Sequence, residues 1–303
     1  MKKNMEEIIC PICGEPMTMF ENLQHIRVSR YENCARKCLH CAIGASNDAQ
    51  HPTFIYQNYQ RNVPACVREH LEYTMANSLN VLNRNNKRRK FAFCTSEDAL
   101  TWLFIRSFIV DNNIQALADT FGLTLPITEI LIWGVPQISP IEDAIVPVLK
   151  KTLDALGELG NSRSEPDVIL VSKAEIVFIE VKLSAQNALL FDANRFQRYV
   201  TPAPVNHYYA NTQETINTGL YELTRNWTIG NCLAERLGHR GFKLYNLGPQ
   251  GLFDNNNVAS LNQFRASLNN RQNFITIAWE DVVENVRCRQ LKEAINHKLN
   301  RHI

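Results

Sequence analysis

Apolar and polar positions alternate in three different ways along the chain. From Phe91 onward they recur with the periods of an α/β domain. Thr95-Ser96-Glu97-Asp98 opens a helix: Thr95 or Ser96 can cap it, and the two acids suit its positive end. Leu100, Leu103, Phe104 and Phe108 then return near helical spacing through about Val110. Residues 129–133 read as a short strand and 140–156 as a second amphipathic helix, ended by Gly157 and Gly160. Residues 168–171 and 176–183 are β-branched runs separated by the turn-like Ser172-Lys173-Ala174-Glu175, which predicts a hairpin. Helical spacing returns over 186–200 and 212–237, strands are predicted at 242–247 and 274–279, and a polar helix over 280–299.

Upstream the pattern changes. Residues 53–82 are mixed, with helical spacing around 67–82. Then Asn83-Arg84-Asn85-Asn86-Lys87-Arg88-Arg89-Lys90 places five basic residues in eight with no apolar position. This stretch reads as a linker or exposed loop, either a solvated charge run or a strip that touches phosphates. Residues 1–50 are cysteine-rich. The expected organisation is a small N-terminal module (1–50), a helical and basic linker (51–90) and one α/β domain (91–303).

Charge sharpens this only locally. The net charge is +2, but residues 1–90 hold 13 Lys and Arg against 8 Asp and Glu, so the basic excess sits at the front. No apolar stretch approaches the ~20 residues of a membrane helix, and no apolar run follows the N-terminal lysines as in a secretory signal. The expectation is a cytoplasmic, reducing compartment with no membrane partner, where clustered cysteines point to metal rather than disulfides.

Of the nine cysteines, four form two knuckles, Cys10-Pro11-Ile12-Cys13-Gly14 and Cys38-Leu39-His40-Cys41-Ala42, with 24 residues between them. Four thiolates match the closed tetrahedral shell of structural Zn²⁺. A module of about 50 residues has too little core to fold unaided, so metal would supply much of its stability. Cys34 could replace a ligand; His25 and His40 are weaker substitutes. The module looks like a zinc ribbon, and Arg27, Arg30, Arg36 and Lys37 incline it toward nucleic acid.

The predicted hairpin has a chemical consequence. Antiparallel pairing puts Asp167, at the start of one strand, beside Glu180 and Lys182 near the end of the next, and the latter two share a face. Two carboxylates and an ammonium then converge in an apolar sheet. Carboxylates hold a hard Mg²⁺ ion through oxygen, and a neighbouring lysine can orient or deprotonate water or neutralise developing charge. The plainer alternative is that Glu180 and Lys182 face solvent or pair across the strands with Asp167.

Glu165-Pro166-Asp167-Val168-Ile169 followed by Phe178-Ile179-Glu180-Val181-Lys182 resembles the PD-(D/E)XK nuclease superfamily, the restriction-endonuclease-like fold, over roughly residues 91–280. The resemblance implies a mixed sheet flanked by helices. It implies that Asp167, Glu180 and the Val181 carbonyl ligate Mg²⁺ or Mn²⁺ and that Lys182 acts on the nucleophile. Glu97 resembles the acidic position on the first helix of that fold, where it would orient a water or complete the metal shell; the alternative is an ordinary acid at a helix start. The stretch between Glu97 and Asp167 is long for the family, and the Gln-x-x-x-Tyr element of its RecB-type branch is absent. Tyr221 and Arg225 share a helix face, most simply as core packing plus a surface charge. The expected function is a Mg²⁺-dependent endonuclease on double-stranded DNA, in the manner of restriction enzymes that act against foreign DNA. A homodimer is expected where both strands are cut. The alternative is a non-catalytic protein that binds nucleic acid or protein through the zinc ribbon.

Overall fold

The computed structural model describes residues 7–20, 26–48, 52–138, 145–183, 186–238, 241–254 and 256–300. At the N-terminus β1 (Thr18–Met19), β2 (Arg36–Cys38), β3 (Ile43–Ala45) and β4 (Phe54–Tyr56) form an antiparallel sheet in that order. Its core is a small cluster of Ile8, Met17, Ile43 and Ala45 with the knuckle cysteines. β4 carries this sheet past the boundary expected at residue 50. It also ties the sheet to the main domain, since Ile55 bridges to Phe93 and the Cys94 amide donates to the Phe54 carbonyl.

α1 (Leu71–Asn77) is shorter than the helical spacing over 67–82 suggests, because Ser78 turns the backbone extended. The basic run departs further from expectation. It is not an exposed loop but the helix α2 (Arg84–Phe91), with Lys87 and Phe91 buried. No apolar stripe announces it. What holds it is an ion-paired lysine, described below.

α3 (Glu97–Val110) begins as predicted, with the Ser96 hydroxyl accepting from the Ala99 amide at 3.2 Å. Ten of its residues are buried, so it is a central helix packed on most sides. α4 (Ile114–Thr120) follows, then β5 (Ile127–Ile132) and β6 (Val135–Ile138), joined through Trp133 and Gly134 at φ 51° and 76°. Two consecutive left-handed residues are what a tight hairpin turn requires. At Gly134 a Cβ would also strike Leu79 at 2.2 Å. α5 (Val146–Ala155) matches the end of the helix predicted from 140, whose expected start lies outside the described residues.

β7 (Val168–Ser172) and β8 (Glu175–Val181) form the predicted hairpin. Of the stretch expected over 186–200 only α6 (Ala193–Val200) is helical; α7 (Ala203–Asn206) follows it, and the stretch expected over 212–237 divides into α8 (Thr212–Asn217) and α9 (Tyr221–Arg236). After β9 (Gly241–Gly248) come α10 (Asn256–Ser267), β10 (Phe274–Ala278), α11 (Trp279–Val282) and α12 (Arg289–Leu299). The closing polar helix predicted over 280–299 is therefore two helices. α12 is amphipathic, burying Leu291 and Ile295.

The main sheet runs β10-β9-β8-β7-β5-β6, parallel at β8–β9 and β9–β10 and antiparallel elsewhere. Helices cover both faces, which is why β7 and β8 are apolar on both sides. Val168, Leu170, Val177, Ile179 and Val181 pack with α3, α4, α11 and α12. Ile169, Val171, Ile176 and Phe178 pack with α5, α6 and α9. By strand alternation Asp167, Glu180 and Lys182 belong to the second face, under α9. No helix among the described residues is long and apolar enough to cross a membrane.

Candidate active site and metal centre

β7 and β8 pair with Val168 opposite Ile179, so Asp167 lies level with Glu180 at the end of the hairpin. The Asp167 carboxylate accepts the Val181 amide at 2.9 Å. The next amide, Lys182, instead donates across to Leu247 of β9 at 2.7 Å. By the alternation of a strand the Val181 carbonyl therefore faces the β7 side, where Asp167 sits. Asp167, Glu180 and Lys182 are thus brought together at one end of the hairpin.

α9 adds residues that the sequence reading missed. Lys182 Nζ lies 2.5 Å from Glu180 Oε1 and 2.7 Å from Glu222 Oε2. The second oxygen of Glu180 accepts from Asn226 Nδ2 at 2.7 Å. Glu222 and Asn226 are four apart on α9, one turn along the same face, and that spacing of polar residues is the one signal the sequence offers for them. Asn226 is fully buried, whereas the Glu222 side chain keeps 39% of its surface open to the cleft. Arg225 is half-buried and lines the cleft with its guanidinium 5.8 Å from the Tyr221 ring, so it is not a plain surface charge.

Glu97 stands on the other side of the β8 end. Its carboxylate accepts the Leu183 amide at 2.9 Å and so anchors the backbone just past Lys182. Trp279 Nε1 fixes the same stretch by donating to the Lys182 carbonyl at 2.8 Å. Glu97 thus acts on the site through the chain, while its side chain also lines the cleft.

A second buried lysine adjoins this group. Lys87 Nζ pairs with Asp98 at 3.2 Å and Glu165 at 3.0 Å and lies 4.4 Å over the Trp133 ring. The Trp133 amide in turn donates to the Asp167 carbonyl at 3.1 Å. The basic helix is thereby clamped to the segment that leads into Asp167.

These groups line one cleft of about 800 Å³. Its rim carries Arg27, Arg89 and Lys90, all exposed, with no carboxylate partner among the described residues. Arg27, Val28 and Ser29 come from the cysteine-rich module, so that module forms part of the wall.

The charged groups on the floor perturb one another. Burial, then the like charge of Glu180, pushes the Asp167 carboxyl well above the usual carboxylate range. Burial likewise raises Glu180, against the pull of Lys182. Burial works against the charged form of Lys182, but Glu180, Glu222 and Asp167 outweigh it and hold the ammonium. Glu222 is lowered overall, its burial overcome by Lys182. Asp167 and Glu180 keep lone pairs beyond the bonds described, so their oxygens could take part in holding a hard divalent ion. No three carboxylates among the described residues come as close together as the thiols do. An ion here would therefore use one or two carboxylates, a carbonyl and water, as Mg²⁺ commonly does.

Cys10, Cys13, Cys38 and Cys41 bring their sulfur atoms within 4.8 Å of one another, a set that could hold a metal ion. Cys13 and Cys38 Sγ are 3.7 Å apart, near the edge of about 3.8 Å of a tetrahedron with 2.3 Å Zn–S bonds. The Glu15 amide pulls the Cys13 thiol down to about 7. Cys34 is not part of the set. It packs with Tyr31, Ile55 and Ala92, its Sγ faces the Arg30 carbonyl, and burial pushes its thiol up to about 11. His40 lies beside Cys41 but outside the set, and His25 lies outside the described residues. No known protein family, curated protein or solved structure matches this chain.

Proposed function

We propose that this chain is a divalent-metal-dependent nuclease of the PD-(D/E)XK type that carries an N-terminal zinc ribbon. The observation that supports it best is the convergence of Asp167, Glu180 and Lys182 on the floor of a basic-rimmed cleft. Asp167, Glu180 and the Val181 carbonyl would hold Mg²⁺ or Mn²⁺, which when bound polarises a phosphate and makes a water acidic. Lys182, kept cationic between Glu180 and Glu222, neutralises charge that develops on phosphate and orients the attacking water. Asn226 fixes the Glu180 carboxylate, and Glu97 fixes the backbone after Lys182. Arg27, Arg89 and Lys90 attract the phosphate backbone.

Zn²⁺ at Cys10, Cys13, Cys38 and Cys41 holds the wall that bears Arg27. DNA is the proposed substrate, cut on both strands by a homodimer, in a reducing cytoplasm. A role against foreign DNA rests on analogy with restriction enzymes alone. The competing reading is a non-catalytic binder working through the ribbon. The shared wall of ribbon and cleft weighs against it, because it directs whatever the ribbon binds onto the carboxylates.

The test is incubation of plasmid DNA, and separately RNA, with Mg²⁺. Wild type should cut, and Asp167→Ala or Lys182→Ala should lower the rate by at least on the order of 10²-fold. Cutting that survives both substitutions would displace the site. An inactive wild type would leave the binding reading.

A further inference from the structure

The cleft does not stop at the candidate centre. A side groove of about 450 Å³ opens from it, sharing Ser162, Ser164 and Tyr221 with the cleft. α6 forms its other side and contributes Arg195 and Arg198. Three apart on one helix, these arginines are neighbours on its surface, and both are exposed. Arg198 has no carboxylate partner among the described residues. Arg195 has only a 3.7 Å contact with Asp192, exposed at both ends, which a phosphate could replace at little cost.

The groove's own carboxylate does not cancel them. Glu158 is buried, and its two oxygens accept from the Tyr199 hydroxyl and the Ser164 amide. The charge the groove offers is therefore cationic. At its junction with the cleft stands Tyr221, whose ring is held edge-on by Phe196 at 5.4 Å and Tyr199 at 5.9 Å. Tyr221 is thus a fixed aromatic ring between two cationic stretches, the kind of setting in which phosphates on either side are held by arginine and lysine.

We propose that the side groove is a second phosphate-binding site, in which Arg195 and Arg198 seat the backbone of a polynucleotide beyond the bond at the candidate centre. The direction of the strand relative to a cut rests on the nuclease reading; the groove's affinity for phosphodiester backbone does not. The substrate class that follows is a polynucleotide, because the arginines of α6 and the carboxylates of the candidate centre line separate, adjoining cavities.

Fluorescence anisotropy with labelled single strands of about 20 nucleotides, one DNA and one RNA, tests this without added divalent cation. Wild type, Arg195→Ala/Arg198→Ala and Arg163→Ala are compared from about 50 to 200 mM salt. Arg163 is a control: it pairs with Asp154 and lies outside the groove. Wild type should bind at least one strand. The double variant should bind it about tenfold more weakly, with the slope of log affinity against log salt reduced by about 1.4 for two lost contacts. The proposal is overturned if wild type binds neither strand, if the double variant matches wild type, or if Arg163→Ala loses as much. A parallel cutting assay of the wild type with Mg²⁺ separates this from the nuclease reading. Binding that depends on the two arginines, in a wild type that never cuts with Mg²⁺, keeps the groove and removes the nuclease.

Discussion

Asp167 meets β8 at a single amide, and that contact can be followed without knowing any substrate. The Val181 amide is held by the Asp167 carboxylate, whereas the Lys182 amide is held by the Leu247 carbonyl. A hydrogen bond to a charged group contributes about 1.5–3 kcal/mol. In Asp167→Ala, amide exchange at Val181 should therefore speed up by roughly 10- to 100-fold while Lys182 keeps its protection. Equal acceleration at both would mean that the sheet, and not one contact, had been lost. Asp167, Glu180 and Lys182 were legible in the sequence because a short hairpin makes them neighbours. Glu222 and Asn226 were not: they reach Lys182 and Glu180 across 40 and 46 residues, and no local pattern encodes such a meeting.

Helix α2 shows how an element can hide from periodicity. Its sequence has one apolar residue, Phe91, at its very end, and it is fixed by Lys87 between Asp98 and Glu165. Removing one partner from a buried ionic group leaves uncompensated charge and costs about 3–5 kcal/mol. Lys87→Met should lose about that much in urea unfolding, whereas Lys90→Ala, on the exposed rim, should stay within about 0.5 kcal/mol of wild type. Equal, small losses would show that the helix does not depend on the clamp. The strands β7 and β8 and helix α3 were readable because burial on both faces writes near-continuous apolar runs and because Ser96 caps a periodic segment. β6, α4 and α10 carry weaker patterns and take their form from what they pack against.

The whole molecule joins a small sheet to a large one through β4 and the segment between α2 and α3. The small sheet has a slight core, so its cohesion should depend on an ion at the four cysteines. Stripping metal with a chelator, or Cys38→Ser, should open residues 7–56 to proteolysis while the six-stranded domain resists, and should weaken polynucleotide binding through the loss of Arg27. Continued protection of the module after all metal is gone would show that the four thiols pack without an ion.

The sequence distances of the contacts around the cleft also order its assembly. The floor closes over a span of 14 residues, from Asp167 to Val181, whereas Glu97 reaches Leu183 across 86. Short loops close at a small entropic cost and long ones at a greater cost. The carboxylates can therefore come together as soon as the hairpin forms. The walls need distant parts of the chain to dock, so the entropic cost of closing the floor is smaller than that of closing the walls around it.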